Sequence, residues 1–303
     1  MPGIDLKELQ ALYARGVNII EHLERQGVDR HTAVEMSYDL QAGSYIEIIR
    51  TTHAEYSEKY TTEIASLIDG LGVGVASLLE AGVGEATTLA NVVKRLKKRP
   101  PHVSGFDISW SRIKYAYKYY SSVAGGSASF FLGDLFRIPY ADDSIDVVYT
   151  SHSIEPNGGR EAEALAELFR VARKYLVLFE PSYEMATDEG KARIERLGFI
   201  RGLPEAAKKL GYYIKEYRSA SVSARPSNPT AILVIEKNAS AVSGPAPEFV
   251  CPVGKGPLAK IPGGYWSESS LLLYPELDGV ACLTPRHGIV ATHYADFHDH
   301  RPT

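Results

Sequence analysis

An acidic side chain and two glycines stand together at Glu80-Ala-Gly82-Val-Gly84, directly after an apolar run, and a helical pattern begins at once behind them. That layout sets bare backbone at the carboxyl end of a strand against a ligand. Gly82 and Gly84 have no Cβ, so the chain can turn sharply and a nucleoside-bearing molecule can come close. The first N–H groups of the following helix lack intrahelical partners and face the same place. A dinucleotide turn carries a third glycine three positions after the second; here that position is Thr87. A phosphate-cradling loop carries Gly-Lys-Ser/Thr, and the chain has no such run. Glu80, immediately before the glycines, turns the reading further from dinucleotides. The plain alternative is an ordinary strand-to-helix turn.

Three more apolar runs end in groups of chemical use. Phe106-Asp107 presents a carboxylate that can accept hydrogen bonds from both hydroxyls of a ribose. In Gly133-Asp134-Leu135 the carboxylate can accept from an exocyclic amine while the leucine flanks a base. Thr150-Ser151-His152-Ser153-Ile154-Glu155-Pro156 brings an imidazole, whose ordinary pKa of about 6.5 leaves it largely neutral at pH 7 and suits it to general-base work. Glu155 either orients that ring or meets a polar substrate. Glu180 and Glu184, after the next run, are expected to border the same cleft. Each has a structural alternative: Asp107 before Ser-Trp-Ser as a helix cap, His152 as a packing residue, the glutamates as surface carboxylates.

Strands and helices must alternate to bring such ends together. The pattern predicts strands over 75–79, 102–106, 127–132, 145–150, 175–179, 212–220 and 231–237, with helices over 87–96, 111–124, 161–173, 188–197 and 204–209. This is a doubly wound, mostly parallel α/β sheet covered on both faces. The last two strands lack a crossover helix between them, so one of them runs antiparallel. Ligands in such sheets bind outside the carboxyl ends of the strands.

Residues 1–70 keep helical spacing at Leu6, Leu9, Leu12 and Tyr13 and again at Ile19, Ile20 and Leu23. Tyr38, Tyr45, Tyr56 and Tyr60 recur there, as core packing or as a substrate lid; Tyr38 and Tyr45 are the candidates for substrate contact. The expected organisation is a helical lid over 1–70, a cofactor-binding domain over 71–238, a small-residue linker over 239–248 and a tail over 249–303. That tail is too small for a core of its own and should dock on the main domain.

Bulk composition narrows the classes. An apolar fraction of 45% and a charged fraction of 23% suit an ordinary globular protein. A net charge of −4 gives no pull toward nucleic acid or anionic membrane, and Lys94-Arg-Leu-Lys-Lys-Arg99 reads as a cationic helix end. Two cysteines, Cys251 and Cys282, imply no disulfide framework. With no signal-peptide pattern and no membrane-length apolar run, the expected location is the cytoplasm. Self-association into a homo-oligomer stays open.

The four motifs in this order resemble the class I S-adenosylmethionine-dependent methyltransferases, over roughly residues 60–238. Pro139-Tyr-Ala-Asp-Asp-Ser-Ile-Asp-Val-Val is especially similar to that family's P-F-x-D-x-S-F-D-x-V stretch. The resemblance implies a seven-stranded Rossmann-like sheet and S-adenosylmethionine as cofactor. Glu80, Gly82 and Gly84 would hold its methionine part, Asp107 its ribose with Ile108 beside the adenine, Asp134 and Leu135 the adenine, and Ser151 or His152 would border the sulfonium. The family's amide- and base-nitrogen methylators carry Asn/Asp-Pro-Pro-Tyr/Phe where Ser151-His-Ser-Ile-Glu-Pro stands here. That departure points to a small-molecule hydroxyl, of a biosynthetic intermediate or a sugar, with nitrogen and carbon acceptors as alternatives. A nicotinamide oxidoreductase and a non-catalytic binding module are the competing classes.

The tail, with Phe249-Val-Cys-Pro-Val-Gly-Lys-Gly-Pro-Leu258 and Leu273-Tyr-Pro-Glu-Leu-Asp-Gly-Val-Ala-Cys-Leu-Thr-Pro285, is similar to a small zinc-ribbon family that partners methyltransferases. Gly254 occupies the second cysteine position, and one cysteine does not make a tetrahedral zinc site. His287, His293, His298 and His300 read as solvated. No metal is expected.

Overall fold

The computed structural model describes residues 4–225 and 227–297; His298 and His300 lie outside them. Five helices come first: α1 (Leu6–Ala14), α2 (Ile19–Arg25), α3 (Arg30–Leu40), α4 (Ser44–Thr51) and α5 (Ala54–Gly70). The first three begin where Asp5, Asn18 and Asp29 accept hydrogen bonds from first-turn N–H groups, the cap chemistry that short polar side chains supply.

The alternating segment follows: β1 (Ser77–Ala81), α6 (Thr87–Arg95), β2 (His102–Asp107), α7 (Trp110–Val123), β3 (Ser129–Leu132), β4 (Ile145–Ser151), α8 (Glu161–Val171), β5 (Ala172–Pro181), α9 (Asp188–Leu197), α10 (Leu203–Lys209), β6 (Tyr213–Ser219) and β7 (Thr230–Glu236). Their order in the sheet is β6-β7-β5-β4-β1-β2-β3. Neighbours pair in parallel except that β7 is antiparallel to both β5 and β6, as the short β6–β7 connection requires. Alternation along each strand feeds two cores. Leu78, Val147, Tyr149 and Val177 pack under α5, α6 and α7; Leu79, Ala81, Val148, Leu176 and Leu178 pack under α8 and α10. Nearly every β1 and β4 side chain is buried because both faces are covered.

The sheet does not stop at seven strands. Four tail strands, β8 (Ala259–Ile261), β9 (Gly264–Ser267), β10 (Leu272–Leu277) and β11 (Val280–Cys282), continue it past β3, and β12 (Ile289–Val290) pairs with β10 off the main path. β11 lies parallel to β3, with Ala281 opposite Phe131 and Cys282 opposite Leu132. Asp278 and Gly279, both at positive φ, make the turn that sends β11 back from β10. The tail therefore covers an otherwise bare sheet edge. Phe249 meets Phe131 edge-on and stacks on Tyr140, with ring centroids 4.9 and 5.4 Å away. Arg286 pairs with Glu35 on α3, which ties the tail to the helical cap.

Among the described residues no cluster of His, Cys, Asp and Glu could hold a metal ion. Buried Cys251 instead receives Gly254 N–H at 3.4 Å and lies 3.4 Å from the hydroxyls of Ser270 and Tyr274. No helix among the described residues is long and apolar enough to cross a membrane.

Removing residues 249–303 should cost most of the fold's stability. Tyr274, Val280, Cys282 and Leu283 are at most 1% exposed, and each buried side chain of this size is worth about 1.5–3 kcal/mol, against a typical total of about 5–15 kcal/mol. A thermal melt checks this; an unchanged Tm in the truncated chain contradicts it.

Candidate active site

β1 sets the first wall. Its end turns through Gly82 at φ +71° and Gly84 at φ +53°. A Cβ on Gly82 would lie 2.2 Å from Ser153 Cβ, so only glycine fits where the β1 and β4 turns meet. The Gly84 N–H donates to Asp107 Oδ2 at 2.9 Å and the Val83 N–H to the Phe106 carbonyl at 2.8 Å, which locks the turn to β2. Gly105 on β2 is required as well, since a Cβ there would come within 2.7 Å of Val83. Glu80 is 2% exposed and accepts from the Tyr149 hydroxyl at 2.7 Å. Burial pushes its pKa up to about 8, and the charge of Asp107 adds to this.

Asp107 closes the second strand end and has two jobs. Its Oδ1 accepts from the Ser109 N–H at 2.9 Å while Oδ2 holds Gly84. The cap of α7 is Ser109 rather than Asp107, and both Asp107 oxygens keep a lone pair for a ligand. Burial raises its pKa against the opposing charge of Arg112. Asp134 accepts from the Phe136 N–H at 2.9 Å and lies 3.8 Å from His31 Nε2.

Helices α3, α4 and α5 cover these strand ends. Tyr38 and Tyr45 sandwich the guanidinium of Arg112, whose Cζ lies 4.5 and 4.7 Å from the two ring centroids; Arg112 Nε also donates to the Tyr38 carbonyl at 2.9 Å. Glu85, 1% exposed, accepts from the N–H groups of Gly43 at 2.8 Å and Ile46 at 2.9 Å. A carboxylate from the glycine turn therefore caps α4. Asp39 accepts from Ser109 Oγ at 2.6 Å and Ser111 Oγ at 3.0 Å, fastening α3 to α7. Tyr60 on α5 shares a 2.9 Å hydrogen bond with Ser151.

The end of β4 forms the opposite wall. His152 sits at φ +55°, a left-handed conformation that is uncommon outside glycine. Its Nε2 is 2.9 Å from Thr230 Oγ1 and its Nδ1 3.6 Å from Glu155 Oε2. Burial works to lower the ring's pKa, but the hydrogen bond and charge of Glu155, with the charge of Glu180, hold it above the ordinary value. Glu155 Oε1 accepts from Asn228 Nδ2 at 3.0 Å.

These walls enclose one cavity of about 630 Å³, within the roughly 300–1,000 Å³ range of small-molecule sites. Glu80, Gly82, Gly84, Asp107, Ile108, Asp134, Leu135, Ser151, His152, Glu155, Tyr38 and Tyr45 all line it. Glu180 and Glu184 do not. β5 runs on to Pro181, two residues past its expected end. Glu180 accepts from the N–H groups of Ser153 at 3.0 Å and Ile154 at 3.2 Å and so supports the β4 turn from behind. Glu184 lies in a separate small hollow with Leu203, Pro204 and Tyr217, bonded to Ser182 Oγ at 2.9 Å and the Gly202 N–H at 2.9 Å. Glu184, expected to contact the substrate, is thus not brought together with the residues of the large cavity.

Several polar cavity residues carry no local sequence signal, among them Glu85, Arg112, Arg193, Arg225 and Asn228. Each is a polar residue in a helix or loop whose role depends on tertiary neighbours. The Ser109 cap places Arg112 three residues on, but nothing in the sequence shows that it meets two tyrosines of α3 and α4.

Residues 78–175 match the family described as a methyltransferase domain. No curated protein is similar enough to match the chain. Among solved structures, magnesium protoporphyrin IX methyltransferase from Synechocystis PCC 6803 with bound S-adenosylhomocysteine is similar at a TM-score of 0.51 and 15% identity, over 69% of this chain and 100% of that one. The same enzyme with bound S-adenosylmethionine aligns at 0.50 and 15% identity, over 70% and 98%. At this identity the likeness is one of fold. Residues 78–175 thus carry a methyltransferase domain, on a sheet that shares the fold of these structures.

Proposed function

We propose that this enzyme methylates a small-molecule acceptor inside the cavity, at a hydroxyl oxygen of a biosynthetic intermediate or a sugar. The observation that carries this reading is the single cavity. It joins the Glu80–Gly84 turn, Asp107 and Asp134 at one end to His152 and Glu155 at the other. The residues fit the cofactor. Gly82 and Gly84 offer backbone without side chains, and Ser153 Oγ, packed over Gly82, is a buried hydroxyl without a partner. Glu80, Gly82 and Gly84 would hold the methionine part, Asp107 the ribose with Ile108 beside the base, Asp134 and Leu135 the adenine, and Ser151 would border the sulfonium. When bound, S-adenosylmethionine supplies a methyl group already activated on a sulfonium.

What remains for the protein is orientation and the fate of one proton. Thr230 is fully buried and holds Nε2 of His152, so the Nδ1 edge and Glu155 form the face that meets the acceptor. The pair receives the hydroxyl proton as the new bond to oxygen forms. The roof of α3–α5, with Tyr38 and Tyr45 on Arg112, excludes water and shapes the acceptor's entry.

Glu80 gives the test. Neutral below about pH 8, it must lose its proton to pair with the cofactor's ammonium. Binding then releases a proton, and affinity for S-adenosylmethionine rises with pH toward about 8, by up to about tenfold per unit. For stability the sign is opposite: a carboxyl raised in the folded state contributes below its unfolded value of 4.5 and loses that contribution as pH rises through about 8. Calorimetric titration at several pH values, in buffers of different ionisation heat, reads both affinity and proton release. Affinity that is flat or falls with pH overturns the placement of the cofactor's methionine part on Glu80.

A further inference from the structure

We propose that the acceptor carries a carboxylate, anchored at the far end of the same cavity by Arg193 and Arg225 with Asn228 beside them. This rests on the reading of that end as the acceptor's. Three observations converge there. Arg193 Nη1 is shut off from solvent and has no hydrogen-bond partner among the described residues. No acidic side chain lies within ion-pair distance of Arg193 or Arg225 among those residues, and Arg193 lies against the ring of Phe199 with its Cζ 5.3 Å from the centroid. Asn228 is only 9% exposed; its Nδ2 is committed to Glu155, while its Oδ1 is buried without a partner. All three residues line the cavity.

The carboxylate bonded to Asn228 does not answer this charge. Glu155 is taken up by His152 and Asn228. A cation whose donor faces a closed space is costly unless something supplies the counter-charge, and a buried orphan donor and acceptor in one pocket call for a ligand that satisfies both. A planar carboxylate matches the guanidinium fork. The free Oδ1 of Asn228 takes a hydroxyl or amine proton from the same molecule. The site is built rather than accidental: α9, which carries Arg193, is pressed on the loop of Asn228 so closely that a Cβ on Gly190 would come within 2.6 Å of the Ser227 carbonyl.

The experiment uses the full chain, both free and saturated with S-adenosylhomocysteine, and titrates it with 4-hydroxybenzoate and with 4-hydroxybenzamide. Wild type should bind the carboxylate and discriminate against the amide by at least about tenfold. Arg193→Gln should abolish that discrimination, and Arg225→Gln should weaken it, while both keep wild-type affinity for S-adenosylhomocysteine. Neither arginine side chain donates a hydrogen bond or forms an ion pair among the described residues, and Arg193 touches only the face of Phe199, so the variants should fold, and a melt confirms it. Equal binding of the two probes, or undiminished selectivity in Arg193→Gln, overturns the anchor. A large loss of S-adenosylhomocysteine affinity in Arg193→Gln also overturns it, because it assigns the arginine to the cofactor's own carboxylate. Failure of wild type to bind S-adenosylhomocysteine would count against the cofactor site instead, and the carboxylate–amide comparison on the free protein still reads the anchor.

Discussion

Glu155→Gln should lower kcat by about two orders of magnitude or more and leave the affinity for S-adenosylmethionine nearly unchanged. Glu155 is bonded to Asn228 and His152 rather than to the glycine turn. Its carboxylate holds the proton on His152 above the ordinary imidazole range, against a burial effect that pulls the other way. An amide of the same shape keeps the hydrogen bond from Asn228 but removes the charge. The His152 pKa should then fall. In wild type, turnover rises as pH climbs through the raised value of His152, because only the neutral ring beside Glu155 accepts the hydroxyl proton. In the variant the residual rate should level off at lower pH. His152→Ala should show the same loss without any such inflection. Steady-state rates across pH, with cofactor affinity measured separately, distinguish this from a packing role. A variant that melts earlier but keeps its kcat and pH profile would make His152 and Glu155 structural.

Gly82→Ala should be the most damaging single change at the cofactor end. Two effects coincide. A non-glycine residue at φ +71° costs about 1–2 kcal/mol, and the new Cβ would overlap Ser153 Cβ at 2.2 Å. Ser153 has little room to yield: its N–H is held by Glu180 at 3.0 Å, and the N–H of His152 by the Phe179 carbonyl at 2.9 Å. Overpacking of this kind adds about 1–3 kcal/mol, and the moved turn closes the space for the cofactor. The expected result is a sharply lower Tm and at least a tenfold loss in S-adenosylmethionine affinity. Gly125→Ala is the control, with a similar φ of +65° and nothing within 4 Å of its Cβ; it should show only the conformational cost. Equal behaviour of the two variants would contradict the account.

What the sequence made legible was chemistry set by local rules. Strand ends, glycine turns and caps depend on a few adjacent residues, so Glu80, Gly82, Gly84, Asp107, Asp134 and Ser151-His152 could all be assigned to one side of the sheet, and the structure places them on one cavity. The alternation of strands and helices carried the mostly parallel sheet and its one antiparallel strand. Glu184 lines a separate hollow rather than the cavity, and β5 runs two residues past its expected end; element ends are the least determined feature of a pattern. Arg112 and Glu85 act through partners far off in the chain, such as Tyr38 and Tyr45 around Arg112, and no local periodicity encodes such meetings. The tail's parallel pairing with β3 was equally hidden, since a register between β11 and a strand about 150 residues earlier follows from edge complementarity. Its one local signal is the Asp278-Gly279 turn.

The central claim is that this cavity binds S-adenosylmethionine at the glycine turn. Isothermal titration of the wild-type chain with S-adenosylmethionine, S-adenosylhomocysteine and NADH tests it most directly. The account predicts one site for each of the first two and no binding of NADH. Binding of NADH with no heat from either sulfur compound would contradict it.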